Sequence, residues 1–290
     1  MEFTMHEYLR LINNDELNKA NEYRIENIPT KLYKYIGLND VPECSYNCSF
    51  EKLNECKLDS LKNNELWLST CQNFNDPFEL KTLFIDEDII IKNKYPIELV
   101  NQLKDSYYNG FLIGCFTTNL TNNMPMWAHY ASNHTGFCVE YKINKPKFFY
   151  PISYELTRAP ANTLCMKSLY LIRKYMNNTI TDKEKKDLNF YNSLLFHNSI
   201  IKNKSWEYEN EYRLLYSKEF TEKFVNVSAN GVLLGNNVIG IETTGIYLGI
   251  SCEKYKDRLI EIGSELGVDV YQMYFDDKSE TYELSFKKEV

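Results

Sequence analysis

Residues 206–216 place three glutamates at alternating positions, separate them with aromatic and amide residues, and end in an arginine and an apolar run. If this stretch is a β-strand, successive side chains point to opposite faces, so the three acids and the arginine share one face. A solvent-exposed edge would not need so many aromatic residues on its back, and a core strand would not carry three carboxylates. The pattern therefore predicts a buried strand that presents acids to a cleft. The residues on its acidic face are Glu207, Glu209, Glu211 and Arg213.

The composition favours a large folded protein that is neither secreted nor embedded in a membrane. The chain has 290 residues, of which 43% are hydrophobic and 14% aromatic, and this is enough for a sizeable core. A net charge of −7 argues against broad binding to nucleic acid or to anionic membranes. We see neither a signal peptide nor a run of about 18 apolar residues. We therefore expect a cytoplasmic protein whose eight cysteines remain reduced thiols.

Signatures of several common nucleotide and metal sites are missing from the sequence. There is no Gly-x-Gly-x-x-Gly, no Gly-x-x-x-x-Gly-Lys and no His-Glu-x-x-His. The densest cysteines lack a Cys-x-x-Cys pair, so we expect no metal site among them. These cysteines are Cys44, Cys48, Cys56 and Cys71.

Helical and strand-like segments are spread along the chain without regular alternation, which predicts an α+β fold. We expect a single domain over residues 1–290, with a central mixed or antiparallel sheet and flanking helices. Between residues 164 and 203, glycine and proline are absent and apolar residues recur at helical spacing, while Thr181 and Glu184 resemble a capping box. This region is predicted to be a two-helix insertion. Further predicted strands cover residues 32–36, 66–69, 111–117, 136–143, 224–227, 246–248 and 268–274.

Two motifs in the first third of the chain combine aromatic and polar side chains. Tyr33, Lys34 and Tyr35 would put aromatic and basic groups at the mouth of a pocket, unless the tyrosines only pack in the core. Asn-Asp-Pro at residues 75–77 is typical of a turn, but aromatic residues flank it and Glu79 follows. It is either a loop that is pinned to the core and displays polar groups, or an ordinary turn. The candidate ligand contacts in this region are Tyr33, Lys34, Tyr35, Trp67, Ser69, Asn75, Asp76 and Phe78.

A third motif joins Trp127, His129 and Tyr130 in a short helical turn before a predicted strand. We expect Trp127 and Tyr130 to face the core from one side of this turn, and we count both as candidate ligand contacts. His129 lies away from them and is a candidate catalytic residue. The alternative is a histidine that only caps the following strand.

The acidic stretch is the fourth motif. Two carboxylates that share a site raise the pKa of one of them, which is how proteins make carboxylates for acid–base chemistry or for polarising a ribose. Arg213 on the same face would hold one carboxylate ionised. Glu211, Glu209 and Arg213 are therefore candidate catalytic residues. The alternative is a strand in which one acid pairs with Arg213 and two acids face water.

In these motifs the chain resembles a bacterial family known only as domain of unknown function twenty-nine seventy-one. The motifs follow one another in the family's order over nearly the whole chain. The resemblance implies a bacterial or phage protein in a defence or toxin setting, but the family name carries no biochemistry. The matching segments are residues 32–35, 74–79, 126–131, 136–140, 204–213 and 246–249.

A second resemblance is to the ADP-ribosyltransferase fold, although the first strand has aromatic residues and a lysine where that family has His or Arg. The resemblance implies that NAD is the substrate. It implies that Glu211 hydrogen-bonds the nicotinamide ribose and stabilises positive charge as nicotinamide leaves. It also implies that Glu209 orients or deprotonates the acceptor, and that Tyr35 or Trp67 stacks on nicotinamide. The segments that follow the order of that fold are residues 32–35, 53–69 and 209–216.

These observations lead to the hypothesis of an ADP-ribosyltransferase-like enzyme that cleaves NAD and transfers ADP-ribose to a protein or nucleic acid. The first alternative is a Mg²⁺-dependent nuclease or phosphoesterase, in which carboxylate oxygens hold the ion. The second alternative is a non-catalytic module that recognises a small ligand or a partner protein. The ligand expected for the enzyme is a nucleotide-type small molecule. The acids available to Mg²⁺ are Asp76, Glu79, Glu209 and Glu211.

Overall fold

A computed structural model describes residues 3–14, 16–39 and 50–289, so Cys44 and Cys48 lie outside the described residues. The α-helices of the described residues are α1 (Met5–Asn13), α2 (Leu17–Glu26), α3 (Phe50–Lys62), α4 (Glu87–Lys92), α5 (Ile97–Asn109), α6 (Met124–Tyr130), α7 (Asn162–Met176), α8 (Asp182–His197), α9 (Lys218–Thr221), α10 (Asn236–Ile239) and α11 (Lys256–Leu266). The β-strands are β1 (Lys31–Ile36), β2 (Glu65–Ser69), β3 (Leu83–Phe84), β4 (Phe111–Thr117), β5 (Phe137–Ile143), β6 (Phe149–Pro151), β7 (Ser153–Glu155), β8 (Ala159–Pro160), β9 (Ile201–Asn203), β10 (Glu211–Ser217), β11 (Gly231–Gly235), β12 (Ile241–Leu248), β13 (Asp269–Phe275) and β14 (Leu284–Lys288). Short 3₁₀ helices cover Cys71–Asn73, Pro146–Phe148, Asn198–Ile200 and Lys204–Glu209.

A ten-stranded sheet forms the centre of the described part of the chain. Its main path runs β11–β2–β4–β1–β5–β12–β13–β14, and β10 and β6 extend it from the other edge of β4. Neighbouring strands are antiparallel except β12 and β13, which are parallel, so the sheet is mixed. With its flanking helices, this architecture confirms the predicted α+β fold. None of the helices in the described ranges has the length and apolar character that crossing a membrane requires.

One edge of strand β4 is unpaired over part of its length, and we call this unpaired part the sheet gap. The other edge of β4 pairs along its whole length with β10. At the gapped edge, β2 joins β4 through the pair Ser69–Ile113, and β1 joins it through the pair Tyr33–Thr117. Between these two pairs, residues 114–116 have no strand partner on this edge among the described residues. The strands β1 and β2 therefore diverge and leave an opening through the sheet.

The larger hydrophobic core lies on one face of the sheet, where α3 and α11 pack. Leu58 of α3 and Leu259 of α11 are completely buried with Val139 and Leu214 of the sheet. Burying one such leucine contributes about 1.5–3 kcal/mol relative to leaving it exposed. Because side chains alternate along a strand, the inward position of Leu214 places the charged residues of β10 on the opposite face. That face carries a second, more aromatic cluster around Trp127.

The two helices predicted between residues 164 and 203 are confirmed as α7 and α8. Helix α8 begins at a capping box, because the Thr181 side chain accepts from the backbone N–H of Glu184 and the Glu184 side chain accepts from the backbone N–H of Thr181. The two helices pack against each other, as their apolar spacing requires.

The strand predicted over residues 206–216 is wrong in its first half. Residues 204–209 form a 3₁₀ helix, which the Asn203 side chain caps by accepting from the backbone N–H of Ser205. Asn210 ends this helix in the left-handed region at φ 45°, a conformation that asparagine tolerates, and β10 begins only at the next residue. Glu207 is consequently exposed and does not share a strand face with Glu209 and Glu211.

The strand predicted at residues 224–227 is also wrong, and the strand in this region is β11. Phe224 is exposed and belongs to a turn. Strand β11 begins at Gly231, whose φ is 145°, and a Cβ at this position would lie 2.1 Å from the Leu68 carbonyl oxygen. Only glycine permits this close approach to β2.

Candidate functional site

A cavity of about 880 Å³ extends through the sheet gap. Leu61 and Phe116 line it from the larger core, while Met126 and Tyr130 line it from the aromatic cluster on the other face. Its volume is in the range of sites for nucleotide-sized ligands. The predicted site residues that line the cavity are Tyr33, Lys34, Tyr35, Trp67, Ser69, Asn75, His129, Tyr130, Glu209 and Glu211.

Four predicted site residues lie outside this lining, each for a physical reason. Trp127 is fully buried, donates its indole N–H to the Leu120 carbonyl at 2.8 Å, and supports the wall from behind. Asp76 is also buried, and its carboxylate accepts from the backbone N–H of Phe78 at 2.9 Å, so it stabilises the turn. Phe78 itself points to the surface and is 51% exposed. The fourth residue, Arg213, lies behind the cavity in the charged cluster described next.

Five buried charged side chains form a connected group, which we call the acid cluster: Glu79, Lys202, Glu209, Glu211 and Arg213. The Lys202 ammonium donates to Glu209 and to Glu211 Oε2, the latter at 3.1 Å. The Arg213 Nε donates to Glu211 Oε1 at 2.8 Å. On its other side, Arg213 forms an ion pair with Glu79, with 2.6 Å between Arg213 Nη1 and Glu79 Oε1. Glu209 and Glu211 thus share one cation, while Arg213 supports Glu211 from behind.

Local structure explains how these residues meet. On β10, Glu211 and Arg213 are two residues apart, so they point to the same face. Strand β9 positions Lys202, and the following 3₁₀ helix turns the chain back so that Glu209 reaches the same ammonium. Glu79 enters from the far side at the end of the Asn-Asp-Pro turn.

Lys202 is the main functional residue that the sequence reasoning missed. Arg213 is the only basic group on the predicted face of the three acids. At least one carboxylate would then lack a cation, and burying that carboxylate would be unfavourable. Lys202 lies close in sequence and could have been found by asking which cation balances them. The sequence predicts that Glu79 is displayed by the Asn-Asp-Pro loop or binds Mg²⁺, whereas in the structure it pairs with Arg213.

The pKa values of the two cavity carboxylates are shifted in opposite directions. Burial opposes ionisation of Glu211, but Arg213 and Lys202 outweigh it and hold the pKa of Glu211 well below its usual range. Burial raises the pKa of Glu209 above its usual range, because Lys202 compensates only in part and Glu211 repels a second negative charge. The cavity wall therefore carries one firmly ionised carboxylate and one that takes up a proton more readily.

Tyr130 connects Glu209 to the rest of the wall. Its hydroxyl donates to Glu209 Oε1 and accepts from the Asn75 side-chain amide at 3.2 Å. Burial raises the pKa of Tyr130, so the hydroxyl stays protonated as a donor. His129 lines the cavity beside it, with its ring 6.3 Å from the ring of Tyr208.

Aromatic side chains form much of the remaining wall. Trp67 is 41% exposed and donates its indole N–H to Ser69 Oγ at 2.9 Å, which fixes the ring plane. Tyr33 and Tyr35 line the cavity from β1, and the Tyr35 hydroxyl donates to the Asn119 carbonyl at 2.9 Å. Flat aromatic faces of this kind bind planar rings by stacking.

The acids predicted as Mg²⁺ ligands are largely engaged by cations or by the backbone. Lys202 lies between Glu209 and Glu211, where an ion bridging them would have to lie. Arg213 engages Glu79 in the same cluster. Within the described ranges, no group of three or more His, Cys, Asp or Glu residues could hold a metal ion.

Comparison with known proteins identifies part of the chain. No curated protein and no solved structure matches it. Residues 126–214 match the model of a family described as "Protein of unknown function (DUF2971)". The matched segment contains the third motif and, within the acid cluster, every member except Glu79. This match supports the resemblance to the DUF2971 family that the motifs predict, over residues 126–214.

Proposed function

We propose that the protein cleaves the N-glycosidic bond of NAD and transfers the ADP-ribose to an acceptor group on a protein or nucleic acid. The observation that carries this proposal is the pair Glu209 and Glu211, two carboxylates that line one cavity and have pKa values shifted apart. In such a pair, one carboxylate acts in acid–base catalysis and the other stabilises charge.

In this mechanism Glu211 stabilises the positive charge that develops on the ribose. The bond between C1′ and the nicotinamide nitrogen breaks, and its electron pair stays on nicotinamide, which leaves as a neutral molecule. Because Arg213 and Lys202 keep Glu211 ionised, its negative charge is in place before the reaction begins.

Glu209 then serves the acceptor. The acceptor oxygen or nitrogen adds its electron pair to C1′ and gives up its proton to Glu209. The raised pKa of Glu209 makes it a better proton acceptor than an ordinary carboxylate. Tyr130 and Lys202 hold its oxygens in a fixed orientation.

The charge balance of the acid cluster also favours this reaction. Three carboxylates face two cations, which leaves one net negative charge in a buried site when all groups are ionised. The positive charge of the nicotinamide ring moves onto the ribose as the bond breaks, so a negative charge placed beside the ribose stabilises the transition state more than the ground state. The exposed face of Trp67 offers a stacking surface for the nicotinamide ring.

Nicotinamide release from NAD tests this function. We expect turnover by the wild type and a loss of about 10²- to 10⁴-fold in kcat for Glu211→Gln and for Glu209→Gln. Glu207→Gln is the matched control, because Glu207 lies in the same stretch but is exposed and outside the cluster. An absence of NAD turnover by the wild type, together with no NAD-dependent thermal shift, would rule the proposal out.

The two alternatives from the sequence have less support. A Mg²⁺-dependent nuclease would need carboxylates that Lys202 and Arg213 already engage, and EDTA-sensitive cleavage of DNA or RNA would favour it. Binding without turnover, with tolerance of Glu211→Gln in cells, would favour a recognition module. As an NAD-consuming enzyme the protein would act in the cytoplasm, in the toxin or phage-defence setting that the family resemblance implies.

A further inference from the structure

Two lysines line the same cavity and have no carboxylate partner among the described residues: Lys34 of β1 and Lys57 of α3. The Lys34 ammonium donates to the Cys115 carbonyl at 3.2 Å, inside the sheet gap. The Lys57 ammonium donates to the Gly37 carbonyl, just after β1, at 2.6 Å. This differs from Lys202, which engages two carboxylates.

Both ammonium groups lose hydration without gaining a counter-charge in contact. Burial lowers the pKa of Lys34 and of Lys57, as expected for a cation that is withdrawn from water. Glu65 also lines the cavity but forms no ion pair with either lysine in the described structure. An ammonium has three donors, and one carbonyl engages only one of them. On the side formed by β1 and α3 the cavity therefore keeps unused donors and two ammonium groups without an ion pair among the described residues, and Glu211 acts on Lys34 only from a distance.

We propose that Lys34 and Lys57 bind the phosphate groups of the substrate, so that a nucleoside diphosphate is held on one side of the cavity and the reacting ribose lies at the acid cluster. A phosphate oxygen would supply the counter-charge that the two ammonium groups lack. The inference rests on the proposed function for the nature of the ligand, but phosphate binding itself requires no turnover.

A purely structural role is the competing explanation for Lys34. Its contact with the Cys115 carbonyl supplies a donor to a backbone group that has no strand partner on that edge. That role predicts a loss of stability on substitution but no preference for phosphorylated ligands. Lys57 lies on a helix beside the cavity and tests the inference without removing this contact.

The experiment is calorimetric titration of the wild-type chain and its variants with ADP and with adenosine. We expect ADP to bind at least about tenfold more tightly than adenosine, and Lys57→Met and Lys34→Met each to weaken ADP binding by roughly 10- to 100-fold. Adenosine binding should not change. Lys62→Met is the matched control, because Lys62 lies on the same helix but pairs with Glu265 at 2.9 Å.

Equal affinity for ADP and adenosine, or wild-type ADP affinity in Lys57→Met, would overturn the inference. If Lys34→Met does not fold, Lys34→Arg keeps the charge and should retain the preference for ADP. Lysine-dependent ADP binding without NAD turnover would overturn the proposed function and leave the phosphate site intact. NAD turnover without lysine-dependent ADP binding would overturn the phosphate site and leave the proposed function intact.

Discussion

Two of the buried acid sites in the described structure lie on one face of the sheet and are joined by one row of neighbouring residues. Cross-strand pairing runs from Glu211 through Thr117 and Tyr33 to Glu140. At the first end lies the acid cluster. At the second end lies the Glu140 site, where the carboxylate accepts from three hydroxyl groups and one ammonium. These donors are Lys31 at 2.9 Å, Tyr33 at 3.1 Å, Thr244 at 2.6 Å and Tyr247 at 3.4 Å.

The two ends differ in what stabilises the buried charge. Burial opposes ionisation of Glu140, but hydrogen bonds from Thr244 and Lys31 outweigh it and lower its pKa. No second acid competes for these donors within the described site. In the acid cluster, by contrast, burial raises the pKa of Glu209, and Lys202 offsets this only in part while Glu211 adds to it. A buried acid is thus not a sign of reactivity by itself, and the proposed function rests instead on two carboxylates that share one cation.

The comparison predicts the largest effect for Arg213→Met. This change leaves Glu79 and Glu211 buried next to an apolar side chain, so we expect a loss of about 3–5 kcal/mol in the free energy of unfolding. Urea denaturation at neutral pH measures it. The control is Arg258→Met, whose partly exposed ion pairs with Glu261 and Asp59 should contribute about 0–1 kcal/mol. Equal losses in the two variants would contradict the assignment of a buried ion cluster.

At the other end of the row, Glu140→Gln should have an intermediate effect. The amide keeps the shape but loses the charge that strengthens four hydrogen bonds, so we expect a loss of about 1–3 kcal/mol in the free energy of unfolding. The matched control is Glu242→Gln on the neighbouring strand, where the side chain is exposed and 3.7 Å from Lys142. If Glu140→Gln is no more destabilising than this control, the Glu140 site does not depend on its charge.

The opposite pKa shifts of Glu211 and Glu209 predict opposite effects on the pH dependence of stability. Because the pKa of Glu211 is lowered, its contribution is complete above the ordinary value of 4.5 and is lost as pH falls below it, by at most about 1.4 kcal/mol per pH unit. Because the pKa of Glu209 is raised, the folded chain takes up this proton first, and stability increases as pH falls towards 4.5.

Unfolding free energies measured on both sides of pH 4.5 test this. Glu211→Gln should reduce the loss of stability below pH 4.5. Glu209→Gln should remove the increase in stability that occurs as pH falls towards 4.5. Glu207→Gln, as an exposed control, should follow the wild-type profile. Changes of the same sign in the first two variants would show that the two carboxylates are not separated in the way proposed.

The smallest effect is expected for Lys31→Met. Lys31 pairs with Glu140, but its side chain is 58% exposed, and three hydroxyl groups remain to satisfy the carboxylate. We expect a loss of about 0–1 kcal/mol in urea denaturation. A loss as large as that of Arg213→Met would remove the distinction between the two ends of the row.

Much of the fold follows from local sequence, but the site follows only in part. The alternation of apolar and charged residues predicts the strand in the second half of the acidic stretch, because Leu214 must enter the core and Arg213 must then face away from it. The same alternation does not predict the structure before Glu211. There, capping by Asn203 and the left-handed conformation of Asn210 give a 3₁₀ helix instead of a strand. Glu209 is buried because of that helix, which alternation does not describe.

The remaining errors concern contacts between distant segments. Strand β11 depends on the close approach of Gly231 to β2, and no local pattern encodes that contact. The position of Lys202 between two acids depends on how β9 lies relative to β10. The motifs around Trp127 and Asp76 make both residues candidate ligand contacts, whereas in the structure Trp127 donates to the Leu120 carbonyl and Asp76 stabilises a turn.

The sheet gap has a mechanical consequence for whatever occupies the cavity. Strand β4 is anchored to β10 through seven residue pairs, but it meets β2 and β1 through one pair each. The two halves of the sheet are therefore hinged on β4 with little backbone bonding between them. A ligand that contacts Trp67 on one half and Tyr33 on the other would cross-link the two halves. The stiffness of the sheet would then depend on whether this ligand is bound.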